Sequence, residues 1–343
     1  MPCIDIHHHF FPPDLQSSKA KANQDLGWRT PPGHLQWSPE LSLKAMDELG
    51  IDISILSFPA ISTGAVSEEN RKAARSRNEF AHRVCEKYPE RFGFFASLPF
   101  LDDIEGCLAE IAFAFDVLQA DGVSLTSSYG LGPDAKYIGH DLYDPIWHEL
   151  NKRHAVVLLH GAQTPSSTPY PHPFLGVPIT EVPNETYKAA AHLVVTGHKR
   201  LYPDVKIILA HMGGTLPVMA ARTAALSSYM GCTLTPEDIL EDFKTFYFDI
   251  ALSAYGPALM SLEEWVGEGR IVYGSDFPAV STETVKWFNG HLDEYSRGRK
   301  SGSPVGRIQG EGEEEKSQDI LCRNTLALLP RLATILSQQP KDK

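Results

Sequence analysis

Cys3-Ile4-Asp5-Ile6-His7-His8-His9 reads as a short buried strand that runs straight into polar residues. Its first four positions, Cys3 to Ile6, have the apolar, β-branched character of a strand, and the histidines mark its end. Alternate side chains of a strand point to the same side. His7 and His9 therefore share one face, and His8 takes the other. Two imidazoles converging at a strand end suit a borderline metal such as Zn²⁺, which favours His nitrogen and carboxylate oxygen. Phe10-Phe11-Pro12 continues without a break, so the histidines belong to the fold and not to an added tag.

Outward from this strand the chain alternates. Phe11 to Ser38 is a long irregular segment with Pro12-Pro13, Pro31-Pro32-Gly33, Trp28 and Trp37, read as a lid-like insertion after the first strand (residues 11–38). Ser38-Pro39-Glu40 opens a helix that Gly50 stops. Strands are predicted over 51–58, 92–98, 122–126, 155–160, 205–211, 245–250 and 270–275. Helices are predicted over 67–87, 103–119, 140–153, 184–200, 213–230, 236–243 and 256–267, with a closing helix over 320–337. Residues 298–316 are rich in Gly, Ser and Glu and read as a flexible surface insertion. About eight apolar strands separated by helices imply parallel pairing through right-handed crossovers and closure into a (β/α)8 TIM barrel of the α/β class. An open doubly wound sheet would want a glycine-rich turn after the first strand, where this chain has His7-His8-His9-Phe10-Phe11-Pro12.

Size and composition agree with one domain spanning residues 1–343. Hydrophobic residues make up 42% of the chain, enough for a sizeable core, and the net charge of -12 argues against a broad nucleic-acid surface. An anionic small substrate stays compatible with that charge, because a metal can dominate the field in a pocket. The five cysteines are scattered and form no CxxC pair, so neither a disulfide framework nor a thiolate cluster is indicated. No apolar leader and no run of membrane-spanning length is read, and the expectation is a soluble cytoplasmic protein.

In such a barrel the chemistry sits at the C-terminal ends of the strands. His7 and His9 end the first strand, His160 ends Val156-Val157-Leu158-Leu159, His211 ends Ile207-Ile208-Leu209-Ala210, and Asp276 ends Ile271-Val272-Tyr273-Gly274-Ser275. Each is carried out of an apolar run to the same rim. One such histidine means little, but four with an aspartate at corresponding strand ends point to a metal centre.

Together, Ile4-Asp5-Ile6-His7-His8-His9-Phe10-Phe11-Pro12, Leu159-His160-Gly161, Ala210-His211-Met212-Gly213-Gly214 and Tyr273-Gly274-Ser275-Asp276-Phe277-Pro278 resemble the amidohydrolase superfamily. More narrowly they resemble its decarboxylase branch, which includes the aminocarboxymuconate semialdehyde, resorcylate and salicylate decarboxylases. The whole chain is most similar to the fungal 6-methylsalicylate decarboxylases of that branch. The resemblance implies that His7, His9, His160 and Asp276 ligate one divalent metal, Zn²⁺ first and Mn²⁺ as the alternative. It implies that His211 lies just beyond the metal, and that His211 and Asp276 are catalytic. No lysine stands at a strand end to bridge a second metal. Arg222 resembles an arginine that, in aminocarboxymuconate semialdehyde decarboxylase, holds a carboxylate in a neighbouring subunit's site, which implies a homodimer or higher homo-oligomer. Ser42 stands where that relative has a second carboxylate-binding arginine, which points to a monocarboxylic aromatic acid, and Phe58 would help form an apolar wall.

The implied function is non-oxidative decarboxylation of an ortho-hydroxybenzoate, 6-methylsalicylate giving 3-methylphenol (m-cresol) and CO₂. The alternative is a metal-dependent hydrolase, such as a lactonase or amidohydrolase, in which the same ligands activate a water. Either way the partner is a small aromatic substrate, with no role for nucleic acid or membrane.

Overall fold

The computed structural model describes residues 2–12, 15–16, 37–162, 172, 174–298 and 318–338. Eight parallel strands stand side by side in chain order: β1 (Ile4–His9), β2 (Ile53–Ser57), β3 (Phe92–Ser97), β4 (Gly122–Thr126), β5 (Val156–His160), β6 (Lys206–Leu209), β7 (Tyr247–Asp249) and β8 (Ile271–Val272). The ring closes where Ile6 N–H donates to Tyr273 O at 3.0 Å and Asp276 N–H donates to His7 O at 2.8 Å. The chain therefore forms the expected (β/α)8 barrel.

Side chains sort to the two sides of the barrel wall. Ile4, Ile6, Ile53, Ile55, Phe95, Val156, Leu158, Ile208 and Val272 fill the interior together with Leu328, Leu329 and Leu332 from the C-terminal segment. Leu56, Phe94, Val123, Leu125, Val157, Leu159, Leu209 and Phe248 face outward into the layer of helices. β1 changes phase partway. Between Asp5 and His8 it advances three residues while β2, from Ser54 to Leu56, advances two. That extra residue is a β-bulge, which re-aims the side chains beyond it. Ile4 and Ile6 point inward before it, and His7 and His9 point inward after it.

Local sequence accounts for most helix ends. In α1 (Pro39–Leu49) the Ser38 hydroxyl accepts the Leu41 N–H, Pro39 occupies the first turn, and Gly50 caps the end at φ 70°. In α2 (Glu68–Lys87) Ser67 accepts the Asn70 N–H, and in α3 (Ile104–Asp116) Asp103 accepts the Gly106 N–H. α4 (Asp144–Lys152) comes after a single 3₁₀ turn at Asp141–Tyr143. α6 (Leu216–Tyr229), α7 (Pro236–Phe243) and α8 (Gly256–Val266) lie within a few residues of their expected bounds.

Three expectations need correction. α5 spans Val177–Val195 and starts well before Asn184, carrying Pro183 inside it. It stops before Gly197, at φ 82°, and His198–Leu201 form a separate turn. A helix not expected from the sequence, α9 (Thr282–Gly298), comes after β8. The closing helix is not continuous: a π-helical turn at Asp319–Arg323 leads into Asn324–Leu328, and Arg331–Gln338 begins anew after Pro330, which cannot continue a helix. The lid reading falls largely on residues outside those described, with Phe11, Pro12, Leu15, Gln16, Trp37 and Ser38 the exceptions. The insertion expected at 298–316 lies outside them too, apart from Gly298 at the end of α9.

Candidate metal centre

The ends of β1 and β5 and the turns after β6 and β8 deliver their polar residues to one place. Ligand atoms of His7, His9, His160 and Asp276 all lie within 4.8 Å of one another, and all four residues are buried. His7 Nε2 stands 3.1 Å from His9 Nε2 and 3.3 Å from Asp276 Oδ1, and His9 Nε2 stands 3.1 Å from Asp276 Oδ1. His211 Nε2 approaches His160 Nε2 to 3.2 Å. Ligands held about 2.0–2.1 Å from a tetrahedral zinc would stand roughly 3.3 Å apart, so this donor set fits such an ion.

The partners of the other ring nitrogens explain why every Nε2 points inward. His7 Nδ1–H donates to Asp249 Oδ2 at 2.9 Å and His160 Nδ1–H to Gly161 O at 2.9 Å. His211 Nδ1–H donates to Ala251 O at 3.0 Å. His9 Nδ1 faces the Ser57 hydroxyl at 3.1 Å. With Nδ1 engaged in this way, the Nε2 atoms converge, which is how histidine ligands are oriented in metal sites.

Asp249, at the end of β7, is the pivot of the arrangement. It is fully buried, and its Oδ1 accepts the N–H groups of His211 and Ala251, each at 3.0 Å, while Oδ2 holds His7. His211 and Asp276 have left-handed φ values of 56° and 60°, uncommon for residues other than glycine. Asp249 pins the first of these through its N–H, and the His7 carbonyl pins the second. The sequence reading missed Asp249, although an acid closing the run Phe246-Tyr247-Phe248 was a legible signal.

Charge is balanced inside the cage. Burial opposes a proton on His7, but the Asp249 carboxylate overrides it and raises the group to about 10. Burial lowers His9, and burial together with the neighbouring histidines, His211 first, holds His160 well below the ordinary value. Burial alone would raise Asp276, yet the hydrogen bonds from His7 and His9 hold its carboxyl well below the usual range. The cage thus favours a positive charge at its centre.

A second helix backbone braces the site. A Cβ at Gly161 would collide with the Val182 carbonyl oxygen, and one at Gly214 with that of Pro183. Glycine at these positions lets α5 lie directly against the turns after His160 and His211.

The remaining expected residues are elsewhere. Phe58 is buried in the outer layer, its ring 5.8 Å from Phe10 and under the Arg77 guanidinium at 4.1 Å. Arg222 lies exposed on α6, lining an open groove of about 450 Å³ with Tyr187, Met219, Thr223 and Leu226. Ser42 is fully buried on α1, between His8 and Trp37. No helix among the described residues is long and apolar enough to cross a membrane.

The family model described as amidohydrolase matches residues 4–330. A protein named 6-methylsalicylic acid decarboxylase from Penicillium expansum is 36% identical over 340 residues, covering 98% of each chain. A decarboxylase named macB from Penicillium terrestre is 39% identical over 310 residues, covering 85% of this chain and 88% of the relative. A crystal structure of a dihydroxybenzoic acid decarboxylase from Polaromonas sp. JS666, with bound manganese and the inhibitor 2-nitroresorcinol, superposes with a TM-score of 0.76 at 23% identity, covering 96% of this chain and 97% of that one.

Proposed function

This chain belongs to the amidohydrolase family, and from that premise we propose that it is a metal-dependent, non-oxidative decarboxylase of ortho-hydroxybenzoates, with 6-methylsalicylate as substrate and 3-methylphenol and CO₂ as products. Its similarity to named decarboxylases over most of its length supports a carboxy-lyase. The observation that carries the reading is the convergence of four inward Nε2 atoms and one carboxylate at the C-terminal mouth of the barrel.

His7, His9, His160 and Asp276 would hold one divalent ion. Zinc is the first choice and manganese the alternative; the 3.1–3.3 Å separations among the His7, His9 and Asp276 donors suit one face of a small tetrahedron. When bound, the ion supplies Lewis acidity at the carboxylate and ortho-hydroxyl oxygens of the acid. Either Asp276 or His211 is proposed to deliver the one proton that the ring carbon bearing the carboxylate takes up. His211 is suited to this by its Nδ1 bond to Ala251, which leaves Nε2 facing the cage. Breaking the bond to the carboxylate returns its electron pair to the protonated ring and restores aromaticity as CO₂ leaves. Phe58, meeting the Phe10 ring edge-on at 5.8 Å, is proposed to back the apolar wall beside the ring.

A second copy of the chain is proposed to cover α6, where Val218, Tyr229 and Met230 are exposed beside Arg222, with Arg222 offering its charge to the acid held by the other subunit. Light scattering on the purified protein should give a dimer or larger, and a monomer would remove this part.

The main test is product analysis. 6-Methylsalicylate should yield 3-methylphenol and CO₂, and in D₂O one deuterium should enter the ring where the carboxylate stood. Turnover that survives complete metal removal would defeat the metal assignment. Oxygen from labelled water in the product, without CO₂, would replace the decarboxylase with a hydrolase.

A further inference from the structure

The histidine and aspartate cage draws on β1, β5 and the turns after β6 and β8, with Asp249 from β7 behind it. The remaining arc of the mouth, β2 to β4, offers hydroxyls. Phe95 faces the interior while Phe94 and Ala96 face outward, so Ser97 also faces inward. Val123 and Leu125 face outward, so Ser124 and Thr126 face inward. Ser57 ends β2 on the same side, where its hydroxyl meets His9 Nδ1.

Two of these hydroxyls have no partner. Ser97 Oγ and Thr126 Oγ1 are buried, and no hydrogen-bonding atom among the described residues reaches either. Their residues are 6% and 3% exposed, whereas Ile55, Phe95 and Leu158, deeper in the barrel, are at 0%. Ser124, between them on the wall, is partly exposed. This arc reaches solvent at Ser124, the strand partner of Ser97, while the Ser97 and Thr126 hydroxyl oxygens themselves are buried.

Both residues are otherwise fully held. The Asn78 side chain accepts the Ser97 N–H at 2.7 Å and donates to the Ser97 carbonyl at 2.8 Å. Thr126 is the strand partner of His160, and its N–H donates to the Tyr129 hydroxyl at 3.3 Å. A buried hydroxyl without a partner costs stability. Here two occur on one arc, rigidly backed, with Thr126 directly beside a proposed metal ligand. Serine and threonine are also the wrong choice for filling an apolar barrel; alanine and valine would fit the same space with no polar atom to satisfy.

We propose that Thr126 and Ser97 are substrate-positioning residues whose hydroxyls donate hydrogen bonds to the anionic oxygens of an aromatic carboxylate bound at the cage. Thr126 takes the oxygens nearest His160, and Ser97, about one side-chain layer deeper, takes the inner edge. This rests on the decarboxylase reading for its substrate class. The assignment explains why the arc without metal ligands is hydroxylated: it orients an acid that the opposite arc anchors.

The test uses the metal-loaded full chain and the substitutions Thr126→Val and Ser97→Ala, each close to its parent in shape. Benzoate, which lacks the ortho-hydroxyl, is the non-reacting probe, and 6-methylsalicylate is the substrate. Each variant should weaken benzoate binding and raise KM by about tenfold, the size of a lost hydrogen bond to a charged group. Metal content should not change, and the ligand-free Tm should match or exceed that of the parent. Variants that bind benzoate as the parent does would overturn the assignment and leave the decarboxylase reading standing. A clear fall in ligand-free Tm would also overturn it, since the hydroxyls would then be structural. A parent that binds benzoate more tightly than the variants but releases no CO₂ from any hydroxybenzoate would keep the two contacts and remove the decarboxylase. A parent that does neither would remove both.

Discussion

His7 and His9 differ from His8 in almost everything except residue type. The outer two turn into the barrel, where their Nε2 atoms stand 3.1 Å from each other and 3.3 and 3.1 Å from Asp276 Oδ1, with the His160 and His211 rings alongside. His8 turns out of the barrel into a closed network. Its Nδ1 meets Asp5 Oδ2 at 3.0 Å, and its Nε2 meets the Ser42 hydroxyl at 2.9 Å, to which the Trp37 indole N–H also donates at 2.8 Å. Asp5 in turn accepts from the Ser275 hydroxyl and from the N–H groups of Ser275 and His7. One set of imidazoles brings its Nε2 atoms to a shared centre. The other has every polar atom answered. A bulge one residue long separates a centre built to receive a cation from a joint that fastens β1 to β8 and α1.

That contrast can be broken from the inner side with the largest effect. His160→Ala or Asp276→Asn should lose metal and turnover together, as read by metal analysis and CO₂ release. The fold should persist, because these residues sit at strand ends above an intact apolar interior. A variant that keeps its metal would show that the cage has been misassigned.

Asp249 tests whether the inner set depends on its backing. Asp249→Asn removes the charge behind His7 and should weaken metal binding by about 10- to 100-fold, the usual cost of losing such a partner. Equilibrium competition with a chelator measures it.

The charge balance makes a related prediction about pH. In the metal-free protein His7 is raised to about 10, so at neutral pH it carries a proton that an incoming cation must expel. Apparent metal affinity should therefore rise with pH, by about tenfold per unit from this one proton, up to the range where His7 loses it unaided. Calorimetry in buffers of different ionisation enthalpy would count the proton released. Affinity independent of pH would mean that His7 is already neutral.

The outer set should show the smallest effect on chemistry. Ser42→Ala leaves His8 Nε2 and the Trp37 N–H without their shared partner, which should cost about 1–3 kcal/mol of stability in denaturant titrations. Turnover per metal-loaded molecule should hardly change. If turnover falls with metal content intact, the two faces of β1 are more tightly linked than their hydrogen bonds indicate.

Much of this was legible in the residues. Apolar runs of strand length, each closed by His or Asp, announce both the barrel and the rim, because strand alternation and parallel crossovers leave few other arrangements. Helix bounds were readable where a cap is local, as at Ser38, Ser67 and Thr235. They were misread where tertiary contacts override a local signal. Pro183 looks like a reason to begin a helix late, but α5 carries it in its interior, seated against Gly161 and Gly214. α9 went unread between β8 and the glycine-rich stretch at 298–316.

The number and order of the strands, the rim residues and their chemical type could all be had from the amino acids alone, since each depends on nearest neighbours and periodicity. Folding in three dimensions was needed to establish that β1 bulges, that Asp249 backs His7, that His8 and Ser42 belong to a separate joint, and that the Ser97 and Thr126 hydroxyls have no partner among the described residues. Those facts join residues as far apart in the chain as His7 and Asp249. No local pattern encodes such a pairing, because it exists only once the barrel closes and burial forces each polar atom to find a partner or wait for one.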